Sequence, residues 1–325
     1  MNLQQYNNKL NLLIKELVQC EYLNADEDYK VLKNLFDIVY KSGVFEIITL
    51  PKDIQDEYKL ILFKNLTQIS GTLAFLVIQI LATNNIMGKN NYNKKDFYLE
   101  KKCGIAINHL RAPVTVVSGE KCDGGYLLNG ILTWASGYKI FDTLLIGFHF
   151  DGFELEAMAP FENDETFCVG QADLTFVGNG LNTVNIELKN YFVKDENIVS
   201  SQILGNYTKV KSASKTVHFC IYGIGICAIK NINDDEFKKS AFKKLEQIKD
   251  MFMSSNDLNT LDNLRIELFS IVQDIVTTSM ILNGGKSILL SSTFQRLYRE
   301  LIMFNSNGLN NSLKSIFKER FLIKK

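Results

Sequence analysis

The sequence predicts an α+β protein with an N-terminal helical bundle, a small antiparallel β domain and a C-terminal helical bundle. Apolar residues recur at helical spacing over residues 3–99, and this pattern returns after residue 200. Between the two stretches, short β-branched and aromatic runs are separated by turn signals such as Asp-Gly. We therefore expect three domains, at residues 1–102, 103–200 and 201–325.

The N-terminal domain is predicted to consist of antiparallel helices. Two helices follow from apolar residues spaced three or four apart, namely Leu10, Leu13, Ile14 and Leu17, and then Leu32, Leu35, Phe36 and Val39. Pro51 opens a further helix, because the first turn does not need the N–H that proline lacks. From Gly71 the chain is apolar on nearly every side, which predicts a buried central helix.

Four strands are predicted in the middle domain, over residues 114–117, 126–132, 143–150 and 153–158. Each is a short run of apolar, β-branched or aromatic residues. Turn signals lie between them, so neighbouring strands should pair as antiparallel hairpins.

Five helices are predicted in the C-terminal domain, and they cover residues 209–232, 235–252, 258–282, 292–304 and 309–321. The pair Gly284-Gly285 interrupts the pattern after the third of them. Such a position commonly ends a helix in a left-handed turn.

Charge and cysteine content exclude several classes of function. Lysine plus arginine and aspartate plus glutamate are equal at 36 each, so no general field attracts nucleic acid or an anionic membrane. Six cysteines without a C-x-x-C pair, and only three histidines, disfavour a metal site. We expect a cytoplasmic protein with reduced thiols, because the N-terminus is polar and the most apolar segment, 71–87, is interrupted by polar residues.

The only tryptophan, Trp134, stands two positions before Ser136. In a strand, residues i and i+2 face the same side, so an indole able to cover a flat ring would lie beside a hydroxyl able to reach a heteroatom on it. This arrangement suits the wall of a flavin site. The alternative is a large core aromatic residue next to a surface serine.

The residues around Trp134 resemble the middle-domain signature of the acyl-CoA dehydrogenase family, and they are Tyr126, Leu128, Asn129, Gly130, Trp134, Ser136 and Asp142. The order of a helical domain, a β domain and a helical bundle is also the plan of that family, so the resemblance covers the whole chain. It implies that FAD is bound, that Trp134 packs on the flavin and that Ser136 hydrogen-bonds near N5. Leu132 departs from the family pattern, which has a lysine there.

A second stretch looks like the closing motif of the same family, and it combines Gly284-Gly285 with Arg296 and Arg299. The resemblance implies that the Gly-Gly turn lets the backbone of a neighbouring subunit approach the FAD pyrophosphate, which glycine permits because no Cβ obstructs it. A homodimer or homotetramer is therefore expected. The alternatives are an ordinary helix C-cap for the glycines and an ion-paired face for the arginines.

His109 and Arg111 stand where the resemblance implies a flavin-contacting Thr-Glu-Pro loop, so the chain looks like a divergent branch of the family. Both are candidate catalytic residues. The imidazole could donate to a flavin carbonyl or take a proton, and the guanidinium could hold a phosphate, a carboxylate or the flavin charge. A structural salt bridge and a half-buried histidine are the alternative.

The two places where the resemblance implies a catalytic glutamate hold no carboxylate. Counting nine residues from Arg299 reaches Gly308, and the segment 205–230 contains neither aspartate nor glutamate. A general base contributes typically ~10²–10⁴-fold to such a reaction. Three functions therefore stay open, namely an FAD-dependent oxidoreductase on an acyl thioester or related small substrate, a flavin monooxygenase or oxidase, and a non-catalytic flavin-binding or assembly protein.

Overall fold

The computed structural model describes residues 2–112, 114–209, 214–306 and 311–323. The N-terminal part is helical, as predicted. Its α-helices are α1 (Leu3–Gln19), α2 (Tyr29–Lys41), α3 (Lys52–Ile69), α4 (Gly71–Lys89) and the short α5 (Lys95–Leu99). A 3₁₀ helix, Val44–Thr49, connects α2 to α3.

Local sequence signals explain where these helices begin. Asn2 caps α1 in a capping box with Gln5, and the Ser70 hydroxyl accepts from the N–H of Leu73 at the start of α4. Helix α3 follows Pro51 directly, as predicted. Helix α4 is buried along most of its length, which confirms the predicted central helix.

Two helical segments are long and apolar enough to cross a membrane, Gly71–Lys89 and Leu258–Ile288. In the first, 67% of the most apolar window is buried inside the protein. Core helices of soluble proteins pass the same test of length and composition, so this observation is weak evidence for a membrane span.

The middle part forms a sheet of eight strands. They are β1 (Cys103–Ala106), β2 (Val117–Cys122), β3 (Gly125–Ala135), β4 (Thr143–Phe150), β5 (Phe153–Pro160), β6 (Phe167–Ala172), β7 (Val184–Lys194) and β8 (Ile198–Ile203). Their order is β6-β7-β3-β2-β4-β5-β8, and β1 pairs with β4. The pairing is antiparallel except at β4, whose neighbours β1 and β2 run parallel to it.

The strand predicted at 114–117 is misplaced. Strand β2 begins at Val117, which pairs with Gly130 on β3, whereas Val114 precedes the strand and is 67% exposed. The pattern missed four strands, because β1 is very short and β6, β7 and β8 contain many polar residues. Cross-strand pairing stabilises such segments, and a local hydrophobic pattern does not reveal it.

The C-terminal helices follow the predicted order closely. They are α7 (Thr216–Asn231), α8 (Asp235–Ser254), α9 (Leu258–Asn283), α10 (Thr293–Ser306) and α11 (Asn311–Ile323). The short helix α6 (Asn206–Lys209) precedes them. Helix α7 is buried on nearly all sides and lies between α3 and α9. At Gly223 it approaches α3 so closely that a Cβ would lie 2.9 Å from the Cα of Lys64.

Candidate functional site

Trp134 lies in a bulge near the end of β3. The register between β3 and β7 shifts between Leu132 and Ala135, and Trp134 has a left-handed φ of 60°. Its N–H donates to Oδ1 of Asn185 at 3.2 Å, which holds this backbone in place. The indole is 59% exposed. A bulky residue with positive φ is strained, and such strain is concentrated at functional sites.

Ser136 lies just beyond the strand and is buried, unlike Trp134. Its hydroxyl oxygen is 2.8 Å from that of Thr183. The predicted alternation that would put both side chains on one face is therefore wrong locally, because the bulge at Trp134 interrupts the two-residue repeat. Thr183 and Asn185 belong to this end of the sheet, and no signal in the sequence indicated them.

Gly284 and Gly285 end α9 and open a 3₁₀ turn. Gly284 has a positive φ of 69°, which favours glycine, but its ψ of −157° is not that of the predicted left-handed turn. Gly285 has no positive φ, and a Cβ built on it would meet no atom within 4 Å among the described residues beyond its chain neighbours. The turn is surrounded by exposed apolar side chains, which we call the Gly-Gly surface and which comprise Ile281, Leu282, Ile288, Leu289 and Leu290.

Arg296 and Arg299 both form ion pairs. The Nη1 of Arg296 donates to both carboxylate oxygens of Glu300, at 3.0 and 2.9 Å, and its Nη2 donates to the carbonyl of Gln68 at 3.1 Å. Arg299 pairs with Asp26. Of the alternatives for these arginines, the structure shows the ion-paired face, which is buried at Arg296 and partly exposed at Arg299, where Glu27 also pairs.

His109 is buried against β4, in the 3₁₀ helix Asn108–Arg111. Its Nε2 lies 2.8 Å from the carbonyl of Gly147. A carbonyl only accepts, so Nε2 carries the proton and Nδ1 offers the lone pair. Nδ1 has no partner within the described residues. Burial lowers the pKa of His109, so its imidazole is neutral at pH 7.

Arg111 is exposed at the end of the same 3₁₀ helix. Its Nη1 donates to Oδ1 of Asn108 at 3.3 Å, and the guanidinium carbon lies 5.9 Å from the ring centroid of Tyr207. Among the described residues it forms no ion pair with a carboxylate. The guanidinium therefore keeps donors for a group outside the chain.

A buried polar cluster beside His109 was missed by sequence reasoning. We call it the sheet cluster, and it comprises the buried residues His109, His149, Glu154, Glu156 and Ser200 and the partly buried Tyr207. Glu156 accepts from the hydroxyls of Ser200 and Tyr207. Glu154 accepts from the backbone N–H of Gly205 at 2.8 Å. Burial raises the pKa of Glu156. Burial also raises the pKa of the Tyr207 phenol, and the neighbouring carboxylate of Glu156 raises it further.

His149 is the least satisfied member of the sheet cluster. It is about nine-tenths buried, and neither ring nitrogen has a hydrogen-bond partner within the described residues. The sequence did contain a signal for this cluster, since Glu154 and Glu156 alternate in an otherwise apolar strand. Two carboxylates on one face of a buried strand indicate polar partners there.

The structure gives no reason to revise the expectation that the two positions implied for a catalytic glutamate hold no carboxylate. Gly308 lies outside the described residues. Helix α7, within the segment 205–230, is buried and contributes no carboxylate. Trp134, His109 and the Gly-Gly surface belong to three separate elements, and no hydrogen bond or ring contact joins His109 to Trp134 in the described parts of the chain.

Sequence comparison finds no counterpart. No model of a protein family matches this chain, and no curated protein is significantly similar to it in sequence.

Comparison of structures finds many similar folds. KijD3 in complex with FMN and dTDP-3-amino-2,3,6-trideoxy-4-keto-3-methyl-D-glucose has a TM-score of 0.73 and 11% identity, over 99% of this chain and 93% of that chain. The HsaA monooxygenase from M. tuberculosis has a TM-score of 0.71 and 13% identity, over 99% and 98%. Butyryl-CoA dehydrogenase from Megasphaera elsdenii has a TM-score of 0.70 and 11% identity, over 99% of both chains.

These likenesses establish the fold. The chain has the acyl-CoA dehydrogenase fold, with helical regions on either side of a β domain. The predicted fold class and the predicted resemblance are both confirmed. At such low identities the fold alone is shown, because one fold supports several activities.

Proposed function

We propose that this protein is an FAD-dependent oxidoreductase that acts on an acyl thioester or related small substrate without the usual catalytic glutamate. The observation that carries the proposal is the exposed indole of Trp134, held on a strained bulge at the end of the sheet. An unburied tryptophan in a fixed conformation is suited to stack on a planar ring from outside the chain. The fold supports the same assignment.

The residues present fit a flavin dinucleotide at two points. The indole of Trp134 offers a flat apolar face, and in the described parts of the chain no residue occupies the place where a Cβ of Gly285 would stand. Since Gly285 also needs no positive φ, its missing side chain is explained by close approach of another group. We assign the ring system to Trp134 and Ser136 and the pyrophosphate to the turn at Gly284 and Gly285. A bound flavin supplies the redox chemistry, and the protein supplies its position.

His109 and Arg111 are the proposed catalytic residues. His109 is neutral, with its proton fixed on Nε2 by the Gly147 carbonyl, so it can accept a proton only at Nδ1. Arg111 has donors directed outward and can hold an anionic group of the substrate. Because His109 is buried, this role requires the substrate to reach the face of the 3₁₀ helix where Nδ1 lies.

A flavin monooxygenase or oxidase is the second candidate. The observation in its favour is the absence of a carboxylate in the segment 205–230, since removal of an α-proton needs such a base. The similar structures include a named monooxygenase and an FMN complex, so the fold is compatible with either chemistry and either flavin. A non-catalytic relative is the third candidate, and it has no use for the strained, exposed Trp134.

We further propose a cytoplasmic homodimer or homotetramer without nucleic-acid or membrane partners. The Gly-Gly surface supports assembly, because five large apolar side chains surround the turn and are exposed in the single chain. Light scattering of the flavin-bound protein tests this proposal. A monomer at micromolar concentration would contradict it.

Flavin titration of the purified protein tests the main proposal. We expect a yellow protein that releases FAD on denaturation, and we expect Trp134→Ala to weaken flavin binding by about tenfold or more, equivalent to ~1.4 kcal/mol. Phe192→Ala is the matched control, because Phe192 is a partly exposed aromatic residue on the neighbouring strand β7. A folded, colourless protein that takes up neither FAD nor FMN would favour the non-catalytic candidate.

Anaerobic mixing with a straight-chain acyl-CoA separates the two enzymatic candidates. We expect slow or no bleaching of the flavin, because both usual positions of the base lack a carboxylate. Rapid bleaching that His109→Gln leaves unchanged would refute the monooxygenase candidate and the role of His109 together.

A further inference from the structure

A small cleft lies between the 3₁₀ helix Val44–Thr49 and helices α3, α4 and α5, away from the sheet that carries Trp134. Its volume is about 160 Å³. Its polar lining is dominated by lysine and amide side chains, and the residues that line it are Ile48, Gln55, Lys59, Leu81, Asn84, Asn85, Gly88, Lys89 and Lys95. Among the side chains that the structure describes, no aspartate or glutamate belongs to this lining.

Lys59 is oriented by a short chain of hydrogen bonds. The Nε2 of Gln55 donates to the carbonyl of Leu50 at 2.8 Å, which leaves Oε1 of Gln55 to accept from Nζ of Lys59 at 3.0 Å. The ammonium group is thereby fixed with further N–H donors unused. Burial lowers the pKa of Lys59, which shows that its charge is poorly compensated, although Asp56 lies nearby.

Two more ammonium groups border the same cleft. The Nζ of Lys95 is 3.9 Å from the place where a Cβ of Gly88 would stand, and Lys89 extends from the end of α4. Neither they nor Lys59 form an ion pair within the described residues. Glu156 interacts electrostatically with Lys89 from the side of the sheet but makes no salt bridge with it.

Asn84 provides an independent observation. It is 6% exposed and lines the cleft, yet its side-chain amide forms no hydrogen bond with any described residue. The amide atoms of Asn84 are not among the buried atoms that lack a partner, so they reach the solvent of the cleft and are available to a ligand there. Here this amide and three ammonium groups that form no ion pair within the described residues line one small volume.

We propose that this cleft binds a tetrahedral oxyanion of the phosphate or sulfate class, either free or as the terminal group of a small metabolite. Three cations match a dianion, and the amide N–H of Asn84 adds a neutral donor. Water could satisfy the amide but not the charge. The volume suits one such group, and charge-assisted hydrogen bonds to it are stronger than neutral ones. The site is independent of the proposed flavin chemistry.

Calorimetric titration of the full-length protein with inorganic phosphate, at constant ionic strength set by sodium chloride, tests the proposal. We expect one saturable site. Lys59→Gln and Asn84→Asp should each weaken binding by roughly tenfold or more, since each alters a direct charged or polar contact. Lys89→Gln should also weaken it, and Lys89 is exposed, so loss of folding cannot explain the effect. Lys244→Gln on the exposed face of α8 is the charge-matched control.

Adenosine monophosphate in a parallel titration distinguishes the two sources of the oxyanion. Binding of inorganic phosphate alone assigns the cleft to the free ion, and binding of the nucleotide assigns it to an esterified phosphate with the nucleoside in solvent. Either result supports the proposal if Lys59→Gln and Lys89→Gln reduce the affinity for the bound compound. No saturable binding of either compound, or equal losses in Lys244→Gln, would overturn it.

Discussion

The fold buries two polar clusters that differ in how completely their groups are paired. One joins Arg296, Arg299, Glu300 and Asp26, and we call it the arginine network. Its Glu300 is fully buried, and each of its carboxylate oxygens accepts from Arg296, while Oε1 also accepts from the N–H of Gly71. The other is the sheet cluster, in which three ring nitrogens of His109 and His149 have no partner in the described residues.

This difference distinguishes the groups that support the fold from the groups that are candidates for a function. The arginine network connects α10 to the N-terminus of α4, and through Asp26 it reaches the N–H of Gly178 at 2.7 Å beside the sheet. It therefore holds all three parts of the chain together. Buried groups left without partners store free energy instead, and titration or a ligand can release it. We expect substitutions in the first cluster to affect stability and those in the second to affect function and pH dependence.

Glu300→Ala should cause the largest loss of stability. It leaves the buried guanidinium of Arg296 and the N–H of Gly71 without their acceptor, and breaking a buried ion pair on one side costs about 3–5 kcal/mol. Urea unfolding measures the effect. Glu267→Ala, at an exposed position of α9, is the control and should change the free energy of unfolding by less than about 0.5 kcal/mol. Similar values for both variants would show that the network is not structural.

Gly71→Ala should cause an intermediate loss. A Cβ on Gly71 would lie 2.7 Å from Cδ of Glu300, so the carboxylate must move, and overpacking of this kind costs about 1–3 kcal/mol.

Gly285→Ala is the matched comparison, because its Cβ would contact none of the described residues around the turn. We expect it to leave the unfolding free energy within about 0.5 kcal/mol of the wild type and to weaken flavin binding instead. If both alanine variants unfolded alike and bound flavin alike, the proposed role of the Gly-Gly turn would be wrong.

These clusters also show where sequence reasoning succeeded and failed. Helix positions could be predicted, since apolar spacing within each segment reflects the face that packs inward. The pair Arg296–Glu300 is spaced i,i+4 on one helix and could have been predicted, whereas Asp26 and Gly71 are far from it in sequence and only the tertiary fold brings them together. Arg296 and Arg299 were noticed as a motif, but their partners were not.

Local geometry limited the prediction of the site. The segment containing Trp134 was recognised and its neighbour Ser136 was noted, but a bulge is a property of two paired strands and leaves no signal in one of them. His149 could not be singled out from the sequence, because whether a histidine is paired depends on the elements packed against it. The exposed indole and the unpaired imidazole therefore became apparent only in the folded chain.

His109→Gln should have the smallest effect at neutral pH and a distinct one in acid. Glutamine can still donate to the carbonyl of Gly147, so we expect a change of about 1 kcal/mol or less at pH 7.5. Burial lowers the pKa of His109 in the folded state, so the unfolded chain takes up its proton more readily. The stability that the neutral imidazole contributes is complete above the unfolded pKa of ~6.5 and is lost as the pH falls toward the lower folded value.

Comparison of the wild type with the His109→Gln variant separates the contribution of His109 from those of the other titrating groups. Glu156 acts in the opposite sense, because its raised pKa favours proton uptake by the folded state, and His218, whose pKa is lowered to about 4, adds an acid-labile contribution of its own. Neither group is altered by the substitution. Urea unfolding at pH 7.5, 6.5 and 5.5 should therefore show the glutamine variant gaining on the wild type as the pH falls. Parallel curves would mean that His109 takes up its proton as easily in the folded protein as in the unfolded chain, and the sheet cluster would then be no less satisfied than the arginine network.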